Sequence, residues 1–454
     1  MQFLFLPLTL LSSFFNKFGF FLILLCVLWK LFEKPLKISL IIPSWKIIII
    51  FLAIFLLQFL AMLLSFPSTS KGPVPIGVPN TVLKLIEQIL MIWLIYAFTK
   101  LYIVSKSDAI KFIRWGIIGF LIYFVLVILP QIFITLGLHS FNGYVNFLAS
   151  LFEQHWSGRN DFYSFGSYAV TQQRVNGFES ESPVFANLIG VVYLPLMIGL
   201  LVGKDHSVFK KTNFFLWIGI FASMFSLLLA KTTTGIVTIL LAYAFWIIFS
   251  QTKDRKKIIY LGILILIILG IGYLFLPSFQ SLINNFLFHK QGTSNRIGGT
   301  ISLFLVFLSK PLIGTGEGFT SYFINQNVPL STTHNWEYLH IYKKLGYPVL
   351  SGFLGWFAQF GLIIMIPVIF FIFKYIFSIF RQRKFLLKNN DEHNNFYSSI
   401  LSSAEIMICI TIPLSFLAFN IFQWPMIFVL FFYWRVFLLS KKTSNQKLLK
   451  NNYI

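Results

Sequence analysis

Residues 47–66 read IIIIFLAIFLLQFLAMLLSF and decide the fold class of this chain. At about 1.5 Å rise per residue, an α-helix of roughly 20 residues crosses the hydrocarbon core of a bilayer. The polar side chains of this stretch, Gln58 and Ser65, carry no charge, and such a helix has no polar face to offer to water. The stretch therefore predicts a transmembrane helix.

Segments of the same kind recur along the whole chain. Of its 454 residues, 57% are hydrophobic and 11% are charged, and the mean hydropathy is +0.80. No aqueous fold has enough interior for so much apolar side chain. We predict one polytopic membrane domain, residues 1–454, built as an all-α bundle of 11–12 spans. Eleven spans are expected at 18–32, 47–66, 85–104, 113–138, 184–203, 213–229, 232–249, 257–276, 349–373, 403–419 and 421–438.

The apolar residues 3–15 add a twelfth span in the preferred count. A signal peptide is the alternative reading of this stretch. It lacks the basic region and the small-residue cleavage site of a signal peptide, so we expect it to be retained.

The net charge of +22 follows the alternation of spans and is not gathered in one basic domain, which argues against a nucleic-acid partner. Most of the 36 lysines and arginines lie in alternate loops and in the C-terminal tail. By the positive-inside rule these loops face the cytoplasm; they are residues 33–46, 100–114, 203–212, 251–257 and 374–402. Both termini are then expected in the cytoplasm.

Two loops on the opposite side, 139–183 and 277–348, are far longer than the connections require. Such loops are usually functional or disordered, and here their aromatic and aliphatic content argues against disorder. Within the second loop, residues 301–310 are too short to span and predict an interfacial or re-entrant helix. Residues 334–345 predict a helix that ends at Gly346 and Pro348.

Groups able to transfer protons are concentrated in these two loops. Polar residues collect in loops in any case, which explains part of the excess, but the concentration favours placing a site here. The residues are Glu153, Asp161, Glu179, Glu181, Glu317 and Glu337, with His139, His155, His289, His334 and His340.

The first motif is RVNGFESESP, residues 174–183, immediately before a span. Arg174 can offer a planar, bidentate fork to a phosphate while Glu179 or Glu181 accepts a proton. The alternative is a structural ion pair, which at an exposed site contributes about 0–1 kcal/mol. The spacing alone leaves both open.

The second motif is THNWEY, residues 333–338, at the start of the predicted helix. Helical spacing places His334, Glu337 and Tyr338 on one face. His334 is then either a proton acceptor or a polar residue at the level of the lipid headgroups. The motif is not a zinc site of the HExxH kind, because the second histidine is missing.

Three shorter motifs complete the set: Asn295-Arg296, the KTTTG segment 231–235, and the GTGEG segment 314–318. The first two are either ligands or interfacial anchors. Exposed backbone amides at Gly314 and Gly316 could cradle a phosphate, although the segment follows no strand and lacks the residues of a nucleotide loop. The sequence has no Asp-x-Asp motif for a metal-bound nucleotide sugar.

In order and topology, these motifs resemble the O-antigen polymerase and O-antigen ligase superfamily over roughly residues 170–360. Two departures stand out: Lys231 occupies a position where the family usually has arginine, and Ser182 separates Glu181 from Pro183. Lysine supplies charge without a bidentate fork, so Arg174 and Arg296 are the stronger candidates.

The resemblance implies a bacterial inner-membrane enzyme of surface polysaccharide assembly that uses no metal or other cofactor. Its substrate is a polyprenyl-diphosphate-linked oligosaccharide, and a chain-length regulator and a flippase of the same pathway are expected partners, besides membrane lipid. Arg174, Arg296 and Lys231 are expected to bind the diphosphate, and His334 to act as the base, with Glu181 its competitor. Supporting roles fall to Glu179, Asn335, Glu337, Gly314 and Gly316.

We expect a polymerase that transfers the glycan onto the next lipid-linked repeat unit. A ligase that moves finished glycan to a lipid core or other acceptor is the alternative within the same chemistry. A flippase for lipid-linked oligosaccharide is the alternative from another class, and it should place its polar residues in a central cavity between the spans.

Overall fold

The computed structural model describes residues 19–33, 38–69, 77–156, 158–203, 207–208, 212–275, 277, 280, 284, 293–388, 392–420 and 423–451. Helices dominate this part of the chain, and it contains no β-strand. The predicted all-α fold is therefore confirmed. Residues 3–15, the candidate twelfth span, lie outside the described residues.

Fourteen helices carry the description that follows. They are α1 Gly19–Glu33, α2 Trp45–Thr69, α3 Val78–Tyr102, α4 Lys106–Thr135, α5 Asn142–Phe152, α6 Ser182–Val202, α7 Thr212–Leu229, α8 Thr233–Phe249, α9 Thr252–Phe275, α10 Thr293–Ser309, α11 Thr320–Asn327, α12 Gly352–Lys388, α13 Glu392–Ser415 and α14 Trp424–Asn451.

Eight of the described helices are long and apolar enough to cross a membrane, so the chain is a multi-pass membrane protein. They are α2, α3, α4, α6, α9, α12, α13 and α14. The remaining predicted spans coincide with the shorter helices α1, α7 and α8. Each of the eleven predicted segments thus corresponds to a helix, whereas the count of 11–12 crossings stays a prediction.

Helices α6 and α13 form the centre of the bundle. Of the residues in the most apolar stretch of α6, 89% are buried inside the protein, compared with 6% in the corresponding stretch of the peripheral helix α9. Gly199 and Gly203 allow the close approach, since a Cβ on Gly199 would lie 2.0 Å from Oγ of Ser403 and one on Gly203 would lie 1.8 Å from Oγ of Ser399. Small residues four apart are how helices pack closely in lipid.

The predicted helix at 301–310 is part of a longer re-entrant hairpin. Helix α10 runs inward from Asn295, the chain turns at 310–319, and α11 returns against it, with Oγ of Ser302 donating to the carbonyl of Ile324 at 2.6 Å. The end of the bundle from which residues 139–183 and 277–348 emerge is called the loop end below. Arg296 at the start of α10 therefore lies at the loop end, and the turn lies inside the bundle.

The turn of the hairpin is bonded to a break in α12 at Gly361, whose φ of 67° and ψ of 175° are not helical. The amides of Thr315 and Gly316 donate to the carbonyls of Ala358 and Gln359 at 2.9 and 3.1 Å. In return, Leu362 donates to the carbonyl of Pro311 at 2.8 Å. The groups freed by the break are thereby satisfied within the protein, as a nonpolar surrounding requires.

These bonds correct the phosphate-cradle interpretation of residues 314–318. The amide of Gly314 donates to the carbonyl of Lys310 at 3.1 Å, and that of Gly316 donates to Gln359. Neither amide is available to an anion, because both hold the hairpin together. The loop predicted at 374–402 also differs, since α12 continues to Lys388 and α13 begins at Glu392.

We predict that Gly199→Ala lowers the melting temperature of the purified protein in detergent. The added Cβ would meet the backbone nitrogen of Ser403 at 2.5 Å, and overpacking of this kind costs about 1–3 kcal/mol. Gly270→Ala is the matched control, because Gly270 also lies in a spanning helix and its Cβ would meet nothing within 4 Å. Equal melting temperatures of the two variants would contradict the packing role of Gly199.

Candidate functional site

Side chains of α4 hold the segment that carries Arg174. Nε2 of Gln131 donates to the carbonyl of Gly177 at 2.6 Å, and its Oε1 accepts from the amides of Asn176 and Gly177 at 3.1 and 2.8 Å. The hydroxyl of Tyr123 accepts from the amide of Phe178 at 2.9 Å. The RVNGFESESP motif is therefore anchored to the loop end of a spanning helix.

A buried carboxylate organises the same loop from the other side. Glu153 accepts from Nδ2 of Asn176 at 2.7 Å and from the amide of Tyr168 at 3.2 Å. Burial raises the pKa of the Glu153 carboxyl to about 7, although these hydrogen bonds oppose the shift. Glu153 joins three parts of loop 139–183, which is a structural role that its sequence context did not reveal.

Arg174 and Lys231 are brought together by a backbone hydrogen bond between the loop and α7. The amide of Val175 donates to the carbonyl of Leu229 at 3.2 Å. Burial lowers the pKa of Lys231, and the nearby positive charge of Arg174 lowers it further. Two of the three cations predicted to bind diphosphate are thus neighbours.

Backbone strain is concentrated at this contact. Gln173 and Lys231 have φ values of 52° and 50°, and no other non-glycine residue in the described ranges has a positive φ. This left-handed conformation is unfavourable for residues with a Cβ and persists where the surroundings enforce it. Strain next to Arg174 and at Lys231 favours a functional assignment for this contact.

A second network joins the two long loops through Arg159, which is buried. Its Nε donates to Asp161 at 3.0 Å and its Nη1 donates to Glu337 at 2.8 Å, while its guanidinium lies 3.6 Å from the ring centre of Phe162. The other oxygen of Glu337 accepts from Nδ2 of Asn295 at 2.8 Å. Loop 139–183 is thereby tied to the start of α10.

Asn335 completes this second network. Its Oδ1 accepts from Nδ2 of Asn295 at 3.1 Å and from the amide of Tyr338 at 2.9 Å, so it caps the short helix that begins after it. The hydroxyl of Tyr347 donates to the carbonyl of Asn295 at 2.7 Å. Asn295 is therefore held from three directions, which fixes the position of its neighbour Arg296.

Glu181 lies between the two networks. Its backbone is extended, at φ −160° and ψ 161°, immediately before α6, and its side chain is partly exposed. Burial raises the pKa of the Glu181 carboxyl to about 7; the positive charges of Arg296, Arg159 and Arg174 oppose this shift, and the negative charge of Glu337 adds to it. The side chain of Tyr168, bonded to Ser182, also lies near both Arg174 and Glu181.

The structure brings together most of the residues predicted from the sequence. The charges of Arg174 and Arg296 act on Glu181, Lys231 lies near Arg174, and Glu337 and Asn335 are in support. Glu179 is buried and lies near Tyr193 of α6, so the two glutamates of the motif have different surroundings.

His334 has different surroundings from these residues. Its side chain is exposed and it precedes the helix that it was predicted to open. Because Asn335 caps that helix, the shared helical face of His334, Glu337 and Tyr338 is not formed. The structure thus places Glu337, and not His334, at the contact between the loops.

Arg159 is the residue that sequence reasoning missed. It stands in no recognised motif, and its partner Glu337 is far away in the chain. One signal was present: the two long loops together contain only the arginines Arg159, Arg174 and Arg296. In the folded protein, the positive charges of all three oppose the rise in the pKa of the Glu181 carboxyl.

This arrangement can bind an anion and move a proton. Arginines offer paired donors to phosphate oxygens, and a carboxyl with a pKa near 7 exchanges a proton readily at neutral pH. In the part of the chain that the structure describes, no group of histidine, cysteine, aspartate and glutamate side chains is arranged to hold a metal ion. Comparison of the sequence with protein-family models and with curated proteins finds no match.

We predict that Arg159→Met loosens the contact between the two loops. Loss of the guanidinium leaves Glu337 and Asp161 without their cation, so amide hydrogen exchange should speed up around Asn295 and Asn335. Lys344→Met is the matched control, because Lys344 is an exposed cation on loop 277–348, which also carries Asn295 and Asn335. Unchanged exchange in Arg159→Met would show that the network does not hold the loops together.

Proposed function

We propose that the protein is a membrane glycosyltransferase that moves a glycan from a polyprenyl diphosphate onto a sugar hydroxyl of the next lipid-linked repeat unit. The observation that carries the proposal is that the charges of Arg174 and Arg296 converge on Glu181 at one end of a membrane bundle, with Lys231 beside Arg174. The motifs that resemble the polymerase and ligase superfamily are the ones that supply these residues.

The cationic residues suit the leaving group of this reaction. As the bond between the anomeric carbon and the diphosphate oxygen breaks, its electron pair stays on the diphosphate and negative charge grows there. Guanidinium groups already in place stabilise that charge more in the transition state than in the ground state, which is the requirement for catalysis. Arg296 is held ready by its neighbour Asn295, and Arg174 by the bonds of Gln131 to the same loop.

The acceptor hydroxyl needs a base, and Glu181 takes that role in this proposal. The hydroxyl oxygen attacks the anomeric carbon, and its proton passes to the Glu181 carboxylate as polyprenyl diphosphate leaves. The charges of three arginines act on Glu181, whereas His334 is exposed beyond the Asn335 cap. The charges of the surrounding arginines keep part of the Glu181 population ionised near neutral pH.

In this proposal the loop end faces outward across the bacterial inner membrane, where lipid-linked oligosaccharide is presented for polymerisation. The basic loops of the opposite end and both termini then lie in the cytoplasm. The pathway's flippase and chain-length regulator are the natural partners. A ligase would perform the same bond exchange with a different acceptor, so the acceptor is the variable that the assay must test.

We predict that the protein, purified and supplied with a defined polyprenyl-diphosphate oligosaccharide, forms a ladder of longer lipid-linked products. Arg174→Ala and Arg296→Ala should each reduce the rate about 10²–10³-fold, as expected for the loss of one group that stabilises transition-state charge. Lys343→Ala is the control, because Lys343 is exposed outside the cluster. Transfer to an added acceptor that carries no polyprenyl diphosphate, such as a lipid core, without a ladder would indicate a ligase, and no covalent change would refute the proposal.

The pH dependence of the transfer should identify the base. The carboxylate form of Glu181 grows as pH rises through about 7, so kcat/KM, which reports the free enzyme, should increase with pH across that range. The negative charge of a bound diphosphate would raise the pKa of Glu181 in the complex, so the midpoint of the kcat profile should lie at higher pH. Glu181→Gln should abolish the increase, and His334→Ala should retain it. A profile unchanged in Glu181→Gln but flattened in His334→Ala would assign the base to His334.

A further inference from the structure

A polar cavity of about 310 Å³ lies beside the Glu181 cluster, between α3, α6, the re-entrant turn, α12 and the connection from α13 to α14. This volume is at the lower end of the range of small-molecule sites, roughly 300–1,000 Å³. Trp356 lines the cavity, and its polar lining is Gln88, Asn187, Glu317, Gln359, Asn420 and Gln423. So many uncharged amides around one cavity are unusual between apolar helices.

Glu317 is the acidic group of this cavity. Its carboxylate accepts a hydrogen bond from Nε2 of Gln359 and another from the side chain of Gln88, and it lies in the field of Lys84. The amides therefore orient the carboxylate from two helices. The turn that carries Glu317 is held by the bonds to Ala358 and Gln359, so the carboxylate is placed by the backbone as well.

Asn187 shows that the cavity can accept a further partner. The residue is 3% exposed, and its Nδ2 donates to the carbonyl of Ala418 at 3.1 Å. Its Oδ1 receives no hydrogen bond from any of the residues described here. A buried acceptor left unsatisfied carries a desolvation cost, which a ligand hydroxyl in the cavity would remove.

The chemistry of the lining selects the ligand. A sugar hydroxyl donates and accepts at once, amide side chains offer both functions, and a carboxylate accepts only. The described lining contains no lysine or arginine, and Glu317 would repel an anion, so phosphate and carboxylate ligands are disfavoured. The face of Trp356 can lie against the apolar face of a sugar ring.

The cavity is also close to the proposed reaction centre. Asn187 lies on α6 six residues after Glu181, which corresponds to roughly 9 Å along the helix axis. Val184, between them, lines the cavity as well. A glycan whose reacting end lies at Glu181 could therefore place a neighbouring sugar in the cavity.

We propose that this cavity is a binding subsite for one uncharged sugar unit of the glycan substrate, recognised by Asn187, Glu317 and Gln88. The inference rests on the transferase function proposed above and adds to it the place where the glycan is recognised. Sugar recognition and diphosphate binding are then performed by separate groups of residues.

The test is ligand-observed saturation-transfer NMR on the full-length protein in lipid nanodiscs. The probes are methyl glycosides of the gluco, galacto, manno, rhamno, fuco and 2-acetamido series. At least one should bind, and Asn187→Leu and Glu317→Gln should each weaken it about tenfold, as expected for one lost hydrogen bond in a buried site. Asn327→Leu is the control, because Asn327 lies at the end of α11 outside the cavity and bonds its own helix.

Two variants are used so that misfolding of one of them does not decide the test. Glu317→Gln keeps the size and shape of the side chain, whereas Asn187→Leu does not. Absence of binding by the whole panel, or equal binding by both variants and the control, would overturn the subsite. A parallel titration with polyprenyl diphosphate carrying no sugar should depend on Arg296 and be unaffected by Asn187→Leu. Sugar binding without Arg296-dependent diphosphate binding would instead refute the transferase proposal and leave the subsite standing.

The transfer assay separates the donor glycan from the acceptor glycan as the source of the bound sugar. An increase of KM for the acceptor alone in Glu317→Gln would assign the subsite to the acceptor chain. An increase for the donor alone would assign it to the donor. Either result supports the subsite, and unchanged KM for both would contradict it.

Discussion

The exchange of backbone hydrogen bonds between the re-entrant turn and the break in α12 is the constraint on which the rest of the loop end depends. An apolar surrounding offers no water to an open carbonyl or amide, so a helix can break there only if another segment satisfies it. The bonds around Gly361 do this, and they hold the turn inside the bundle. The start of α10, with Asn295 and Arg296, and the carboxylate of Glu317 are positioned by the same element.

The second constraint is electrostatic. The three arginines would repel one another if they were gathered alone, and here the carboxylates of Glu181, Glu337 and Asp161 lie among them. Arg159 forms ion pairs with Asp161 and, across the two loops, with Glu337, and its charge also acts on Glu181 together with those of Arg296 and Arg174. An arriving diphosphate would complete the charge balance, which is the physical basis for assigning anion binding to this place.

Part of the site could be predicted because its residues stand in short motifs. Arg174 and Glu181 are seven residues apart and come together through local chain geometry. The choice between Glu179 and Glu181 could not be made from the sequence, since it depends on the extended backbone before α6 and on the burial of Glu179 near Tyr193. Arg159 was missed for a related reason, because its partner Glu337 is 178 positions away.

His334 and the GTGEG segment show the opposite case, in which a motif suggested more than its surroundings support. The helix after His334 is capped by Asn335, so His334 remains at the surface. The amides of Gly314 and Gly316 are occupied by backbone carbonyls. In both cases the competing partner comes from the chain itself.

The sequence by itself determined that the chain is an all-α membrane protein and located its helices, because hydrophobicity and length are summed over each segment alone. It also indicated the two loops that carry the charged groups. The tertiary structure decided that α10 enters the bundle and α11 returns against it, that Arg159 joins the loops, and that Asn187 and Glu317 share a cavity. These features depend on contacts between segments that are distant in the chain. The residue pattern within one segment does not show which other segment it will contact.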